Sequence, residues 1–200
     1  MLKNTTLLLV DIQNGFMPEG ELPVAEGDQI VPIVNALIPD YPLVVASQDW
    51  HPSNHSSFAA NHPGKHPFEQ INLHGLEQVL WPIHCVAGSH SAAFHPDLDE
   101  RQIAAVFRKG MNPDIDSYSA FYDNGHRQHT GLADYLRAHQ ISTIHIAGLA
   151  ADYCVYFTIK DALAEGFNVT LHRAATRAID PEQYKQQLSE LNKHPAFSTT

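Results

Sequence analysis

The residues that could carry out nucleophilic chemistry stand at the ends of short apolar runs. Asp11, Lys109 and Cys154 each follow such a run, directly or through a short turn. A thiol attacks as the thiolate, which a nearby cation and a helix N-terminus both favour. A carboxylate beside it can take the thiol proton and later deliver it to a leaving amine. These residue types predict a nucleophilic cysteine site, with an inert buried thiol as the alternative for Cys154.

A second group of residues has the types and spacing of a metal site. Alternate residues of an extended segment point the same way, so Asp49 and His51 can both face one ion. His84 can add a third ligand. Two histidines and one carboxylate with open positions suit zinc, iron or manganese. The neighbouring histidines that compete for this role are His55, His62, His66, His74 and His90.

The elements that must position these residues alternate between strands and helices. Apolar runs typical of strands buried on both faces occupy residues 5–12, 43–47, 103–107, 143–147 and 168–171. Helical patterns lie between them, with Asp28 and Asp152 as expected caps and Pro181 opening the last helix. This alternation predicts an α/β fold, a three-layer α/β/α arrangement with a mostly parallel central sheet. Ligands of such sheets bind outside the carboxyl ends of the strands.

Residues 49–102 interrupt this alternation, because they contain no convincing strand and hold five of the thirteen prolines. A segment of that length without secondary structure inside a compact domain is usually functional. We therefore expect a single domain over residues 1–200, with a site-building loop insertion at about 49–102. Cys85 lies in this insertion as a rival nucleophile or ligand, and we place it second because it follows no strand-to-helix turn.

The composition excludes several classes of protein. Among the 200 residues, 12 Lys and Arg stand against 22 Asp and Glu, and the net charge of −10 disfavours nucleic acid and anionic membranes as partners. Two cysteines do not form a disulfide framework, so we expect a reducing compartment, the cytoplasm. We find no apolar stretch of membrane-spanning length and no signal-peptide pattern.

Five segments, in order along roughly the first 165 residues, resemble the isochorismatase-like cysteine hydrolases, and among them the nicotinamidases (pyrazinamidases). Their sequences are LLLVDIQNGF (7–16), VVASQDWHPSNHSSF (44–58), WPIHCVAGS (81–89), FRKGMNPDIDSYSAF (107–121) and IAGLAADYCV (146–155). Five ordered blocks in matching strand and helix contexts are more specific than any single motif. The DWH and WPIHC blocks favour the nicotinamidase branch.

The resemblance implies roles for the chemical groups named above. Cys154 would be the nucleophile, Asp11 the proton shuttle, and Lys109 the third member of the triad. One divalent metal ion would be bound, zinc first, with iron or manganese as alternatives. Its ligands would be Asp49, His51 and His84, and His55 is a further candidate because some relatives use a residue near that position.

The resemblance also implies a substrate slot and an oxyanion hole. Phe16, Trp81 and Tyr118 would line a slot for a pyridine ring. The backbone N–H groups of Ala150 and Cys154 would form the oxyanion hole, next to a cis bond between residues 149 and 150. The chain departs from many relatives at Ala151, where they have Thr, and the tail after about residue 173 resembles the family poorly.

The implied reaction is the hydrolysis of nicotinamide to nicotinate and ammonia through a thioester, within NAD salvage, with pyrazinamide as a further substrate. Two alternatives remain open at this point. One is a sister amidohydrolase acting on an N-carbamoyl or ureidoacrylate-type amide, and the other is a catalytically inactive binding protein of the same fold. The expected partner is the small-molecule substrate, without nucleic acid or membrane, and a homo-oligomer stays open.

Overall fold

The computed structural model describes residues 3–200, and eight strands follow one another along this part of the chain. They are β1 (Thr5–Val10), β2 (Val44–Asp49), β3 (Gln70–Leu73), β4 (Leu76–Val79), β5 (Ile103–Lys109), β6 (Thr143–Gly148), β7 (Asn168–Thr176) and β8 (Phe197–Thr199). Six of them form one sheet in the order β5-β2-β1-β6-β7-β8, and all neighbouring pairs are parallel. The predicted parallel sheet is confirmed.

Helices cover both faces of this sheet. They are α1 (Ile30–Leu37), α2 (Leu132–Ala138), α3 (Tyr156–Ala164) and α4 (Pro181–Leu191). Side chains of β1 alternate between two apolar clusters, so Leu7 and Leu9 pack with α1 while Leu8 and Val10 pack with α2 and α3. The three-layer α/β/α fold is therefore confirmed. Within the described residues no helix is both long and apolar enough to cross a membrane.

Among the strands that run further than the apolar pattern predicts, two end in residues of the site. β2 continues to Asp49 and β5 continues to Lys109, so both charged residues are the last residues of strands. They are neighbours across the sheet, because Asp49 and Lys109 are register partners. The chain leaves β1 at Asp11 with a φ of 49°. Apolarity alone did not show these ends, since the strands continue through polar residues.

Residues 49–102 contain a hairpin, so the expectation of a segment without a strand was wrong. β3 and β4 pair antiparallel across the two residues His74 and Gly75, whose φ values are 52° and 89°. Two positive φ values in a two-residue loop are typical of a type I′ turn. Each strand has only four residues and is largely exposed, so its alternating pattern is too short to recognise.

Neither aspartate expected to cap a helix does so. A 3-10 turn at Gly27–Gln29 precedes α1, and no side chain caps that helix. Asp152 lies inside a π-helical turn, Ala151–Val155, that leads into α3. Its two carboxylate oxygens instead accept hydrogen bonds from the backbone N–H groups of Ile179 and Asp180, at 3.0 and 2.7 Å. Asp152 therefore joins the start of α3 to the segment before α4.

The C-terminal tail, which the sequence analysis left unplaced, forms the edge of the sheet. β8 pairs with β7 in parallel through Phe197, Ser198 and Thr199. Three residues are too few to show a strand pattern on their own. The tail thus completes the sheet at the edge furthest from β5.

Candidate active site

Asp11, Lys109 and Cys154 meet at the carboxyl end of the sheet, as predicted. Asp11 follows β1, Lys109 ends β5, and Cys154 lies in the π-helical turn after β6. The Nζ atom of Lys109 is 2.9 Å from Asp11 Oδ2 and 3.4 Å from Cys154 Sγ. All three side chains are buried, with at most 6% of any residue exposed. A carboxylate, an ammonium and a thiol therefore share one enclosed space.

The ammonium of Lys109 is fully hydrogen-bonded. It donates to Asp49 Oδ1 at 2.6 Å and to the Ser117 carbonyl at 2.9 Å, besides its contact with Cys154. Burial disfavours the charged form, but the carboxylates of Asp11 and Asp49 outweigh it and raise the pKa of Lys109 well above its ordinary value. Lys109 is thus a permanent cation that holds the carboxyl ends of three strands together.

The two carboxylate oxygens of Asp11 have different partners. Ser47 donates a hydrogen bond to Oδ1 at 2.7 Å. Oδ2 is buried and forms a 2.9 Å ion pair with the Lys109 ammonium, its close partner among residues 3–200. Burial raises the pKa of Asp11, against the opposing effect of Lys109. A carboxyl group with a raised pKa is suited to accepting and returning a proton.

The thiol of Cys154 is protonated in this arrangement. Burial raises its pKa well above the ordinary value, the cation of Lys109 opposes this only in part, and the charge of Asp11 adds to it. The direction of this pKa shift is opposite to the expected one, because burial of the thiol, with Asp11 and Asp49 adding to it, outweighs the cation of Lys109. Attack by Cys154 requires a base. A carboxylate oxygen of Asp11 lies within 4.8 Å of Cys154 Sγ, which makes Asp11 a candidate for that base.

Asp49, His51 and His84 form the second predicted cluster. Their donor atoms lie within 4.8 Å of one another, with Asp49 Oδ2 at 3.4 Å from His51 Nε2 and 3.7 Å from His84 Nε2. The other ring nitrogens face backbone carbonyls, Gly110 at 2.9 Å from His51 and Pro82 at 2.8 Å from His84. Such contacts fix the tautomer that turns the Nε2 lone pair toward a metal. The donor set fits one divalent ion.

His55 lies beside this cluster but is held differently. Its Nδ1 accepts a hydrogen bond from the backbone N–H of Ser57 at 3.1 Å, so its proton is on Nε2. That Nε2 atom is buried and has no hydrogen-bond partner among the described residues. Burial lowers the pKa of His55 to about 4. His55 and Asp116 form a further close group with His51, so both border the metal cluster.

A narrow cavity connects the two clusters. Its lining includes Cys154 and Ala150 together with Asp49 and His84. Its walls are aromatic and are formed by Phe16, Trp81, Tyr118 and Tyr153. The predicted cis peptide bond between residues 149 and 150 is present beside it. One cavity is therefore bordered by a thiol, by metal-cluster side chains and by aromatic rings.

Residues 5–200 match the family described as the isochorismatase domain. The chain belongs to the isochorismatase family.

Several relatives of the chain are named nicotinamidases. The chain is 51% identical over 179 residues to a nicotinamidase of Escherichia coli strain K12, covering 87% of this chain and 83% of the relative. It is 48% identical over 177 residues to one from Acinetobacter baylyi, with 88% and 83% covered. A solved nicotinamidase/pyrazinamidase of Acinetobacter baumanii superposes with a TM-score of 0.95 at 44% identity, covering 99% and 96%.

A second solved structure in the isochorismatase family bears on the metal. The pyrazinamidase of Pyrococcus horikoshii in complex with zinc superposes with a TM-score of 0.81 at 36% identity, covering 98% of each chain. In this chain, Asp49, His51 and His84 are brought together with the geometry of a metal-binding group.

Three residues of this isochorismatase-family site escaped the sequence analysis. Ser47 holds Asp11, Tyr153 forms part of the aromatic wall, and Asp116 borders the histidines. Asp116 lies inside one of the resembling segments and Tyr153 directly precedes Cys154, so the resemblance offered a signal for both. Ser47 ends a predicted apolar run, where a serine carries no signal of its own.

Proposed function

We propose that this chain is a nicotinamidase, a cysteine amidohydrolase that converts nicotinamide to nicotinate and ammonia and also accepts pyrazinamide. One observation carries the proposal. A single cavity is lined by Cys154, by the metal-cluster residues Asp49 and His84, and by aromatic side chains. A neutral aromatic amide needs no cationic pocket, in agreement with the acidic composition.

The aromatic walls would bind and orient the ring. Trp81 lies edge-on to Tyr118 and Tyr153, with ring centroids 6.1 and 4.8 Å apart, so the wall is itself held by packing. Phe16, another residue of the wall, packs edge-on against the His84 ring, with the ring centroids 5.5 Å apart. A ring between them would present its carboxamide to Cys154, and this positioning lowers the entropic part of the barrier.

In the acylation step, Oδ2 of Asp11 would act as the base. Oδ2 accepts the thiol proton while Cys154 Sγ forms a bond to the carboxamide carbon. Asp11 then returns that proton to the nitrogen as the C–N bond breaks, so ammonia leaves and a thioester remains. Water attacks the thioester with Asp11 as its base, and the thiol is restored. Lys109 stays charged throughout and holds Asp11 and Cys154 in contact.

The backbone N–H groups of Ala150 and Cys154 would stabilise the developing oxyanion. Asp49, His51 and His84 would hold one divalent ion, zinc being the first choice. When bound, that ion would orient the ring through its nitrogen, directly or through water. His55, which carries its proton on Nε2, would act as a hydrogen-bond donor beside the ion rather than as a ligand.

We extend the proposal to domain organisation and location. Residues 1–200 would form one domain, and the insertion at about 49–102 would build the site, because it supplies His51, Trp81 and His84. Both cysteines are free and buried, which suits a reducing compartment, and we place the reaction in the cytoplasm as a step of NAD salvage.

Ammonia release from nicotinamide tests the proposal, with and without chelator. Cys154→Ala should abolish turnover, while Cys85→Ser, the matched control at the other buried thiol, should keep most of it. An N-carbamoyl amide and a ureidoacrylate-type amide serve as comparison substrates. Turnover of these without turnover of nicotinamide would reject the proposal, as would activity retained in Cys154→Ala.

A further inference from the structure

The β3–β4 hairpin is largely exposed, and Gln78 is the one residue of its two strands that is buried. Only 3% of Gln78 is exposed to solvent. Its side-chain amide contacts Asp116 and Tyr118, which both line the cavity that holds Cys154. The hairpin therefore reaches two residues of the cavity through one amide group, which has no role in the reaction proposed above.

The Gln78 amide joins an acidic residue to an aromatic one. Its Nε2 atom donates to Asp116 Oδ2 at 2.9 Å and to the Tyr118 hydroxyl oxygen at 3.1 Å. Nε2 also lies 2.7 Å from the carbonyl oxygen of Val79, so its two protons serve three acceptors and one proton is shared. A carboxylate accepts hydrogen bonds only, so Asp116 fixes which end of the amide faces the cavity residues.

Asp116 has one of its two oxygens bound to Gln78. Oδ1 accepts a hydrogen bond from the backbone N–H of Ser117 at 2.8 Å, whereas Oδ2 accepts from Gln78. Asp116 is itself buried, with 3% of the residue exposed. A buried carboxylate oxygen that loses its donor pays the full cost of desolvation. An apolar residue at position 78 should therefore drive Asp116 toward another donor.

The Tyr118 hydroxyl is such a donor, and it is a neighbour of Asp116 because both contact the same nitrogen. Burial, followed by the charge of Asp116, raises the pKa of Tyr118 well above its ordinary value, so the phenol keeps its proton. The ring packs against Trp81 and Tyr153, with centroids 6.1 and 5.5 Å apart. A hydroxyl turned toward Asp116 would move this ring within the aromatic wall.

We propose that Gln78 is a positioning residue for substrate binding, which holds Asp116 and Tyr118 through one amide and thereby keeps Tyr118 in the wall that binds the heteroaromatic ring. This inference rests on the nicotinamidase activity proposed above, and it adds the hairpin to the parts of the chain that determine substrate affinity. Because Gln78 acts on the wall and not on the nucleophile, its loss should raise KM and leave kcat nearly unchanged.

Steady-state kinetics with nicotinamide test this role in Gln78→Met, which keeps the length of the side chain and removes its amide. A lost hydrogen bond of ordinary strength corresponds to about a tenfold change in an equilibrium constant. KM should therefore rise about tenfold, while kcat stays within about threefold of the wild type. The matched control is Gln70→Met, the same change at an exposed position of β3, and its KM should equal that of the wild type.

Two further measurements do not depend on turnover. The dissociation constant of nicotinamide in a Cys154→Ala background, measured by calorimetry, should rise about tenfold when Gln78→Met is added. The metal content of Gln78→Met should equal that of the wild type, because the proposal assigns Gln78 to the wall. If thermal unfolding shows that Gln78→Met is not folded, Gln78→Glu carries the same test, since it keeps the size of the side chain and replaces the donor by an acceptor.

A double-mutant cycle separates positioning from a merely structural role. Tyr118→Phe keeps the ring but removes the hydroxyl that Asp116 would capture, so in this background Gln78→Met should change KM by less than about twofold. A tenfold rise in that background as well would overturn the proposal, as would an unchanged KM or a lowered metal content in folded Gln78→Met. Wild-type protein that releases no ammonia from nicotinamide would reject the proposed function and this role with it, whereas normal wild-type turnover with an unchanged KM in the variant rejects the role of Gln78 alone.

Discussion

Ser47 controls the proton affinity of the proposed base, and its removal makes a quantitative prediction. The hydroxyl donates a 2.7 Å hydrogen bond to Asp11 Oδ1, in a position with no exposure to solvent. That bond favours the carboxylate and lowers the pKa of Asp11, against the effect of burial. Ser47→Ala should therefore raise this pKa further.

The magnitude follows from the energy of such a bond. A hydrogen bond to a charged group contributes about 1.5–3 kcal/mol. One pKa unit corresponds to about 1.4 kcal/mol, so the expected rise is about one to two units. Asp11 must be ionised to accept the thiol proton, so the acid limb of kcat/KM should move to higher pH by that amount, with a smaller loss on the plateau.

The assay is kcat/KM for nicotinamide as a function of pH, in the wild type and in Ser47→Ala. The control for loss of a buried hydroxyl is Ser119→Ala. The Ser119 hydroxyl is also buried and accepts a hydrogen bond from the backbone N–H of Phe121. Its acid limb should stay in place. An unmoved limb in Ser47→Ala, or one displaced to lower pH, would refute the role assigned to Asp11.

Three further predictions concern the same site. Asp11→Asn should lower kcat by about 10²–10⁴-fold or more, since it removes proton transfer, and single-turnover kinetics would measure this. His84→Ala should lose metal and amidase activity while Cys154 still reacts with iodoacetamide; unchanged metal content would contradict it. Lys109→Met should lose about 3–5 kcal/mol of unfolding free energy at pH 7.5, because two buried carboxylates lose their cation. Without the cation, the pKa values of Asp11 and Asp49 in the folded variant should rise, so both groups bind protons more readily when the variant is folded. The loss measured in urea titrations should therefore shrink toward pH 5. A loss independent of pH would count against the ion cluster.

The sequence was informative wherever a short pattern fixes geometry. Asp49 and His51 face the same way because alternate residues of an extended segment do so. The buried parallel strands could be predicted because their apolar runs have no amphipathic pattern. The raised pKa of Cys154 could not be predicted, because it depends first on complete burial of the thiol and then on the charges that the fold places around it.

The contact between His145 and His172 shows another limit of sequence reasoning. His145 and His172 are 27 residues apart in sequence and meet only through the pairing of β6 with β7. Local pattern predicts that two strands exist, but not which residues of each lie side by side. Asp152 failed as a predicted cap for a related reason, since its partners Ile179 and Asp180 are distant in the chain.

Lys109 and Gly110 are consecutive, and each contacts a different part of the site. The side chain of Lys109 reaches Cys154, while the carbonyl of Gly110 holds the His51 ring. Gly110 has a φ of 66°, and a side chain there would overlap that ring. One peptide unit therefore fixes the position of the Lys109 side chain relative to the His51 ring. A side chain at position 110 would therefore displace the His51 ring and shift Lys109 with it, so one change at the end of β5 would disturb both clusters.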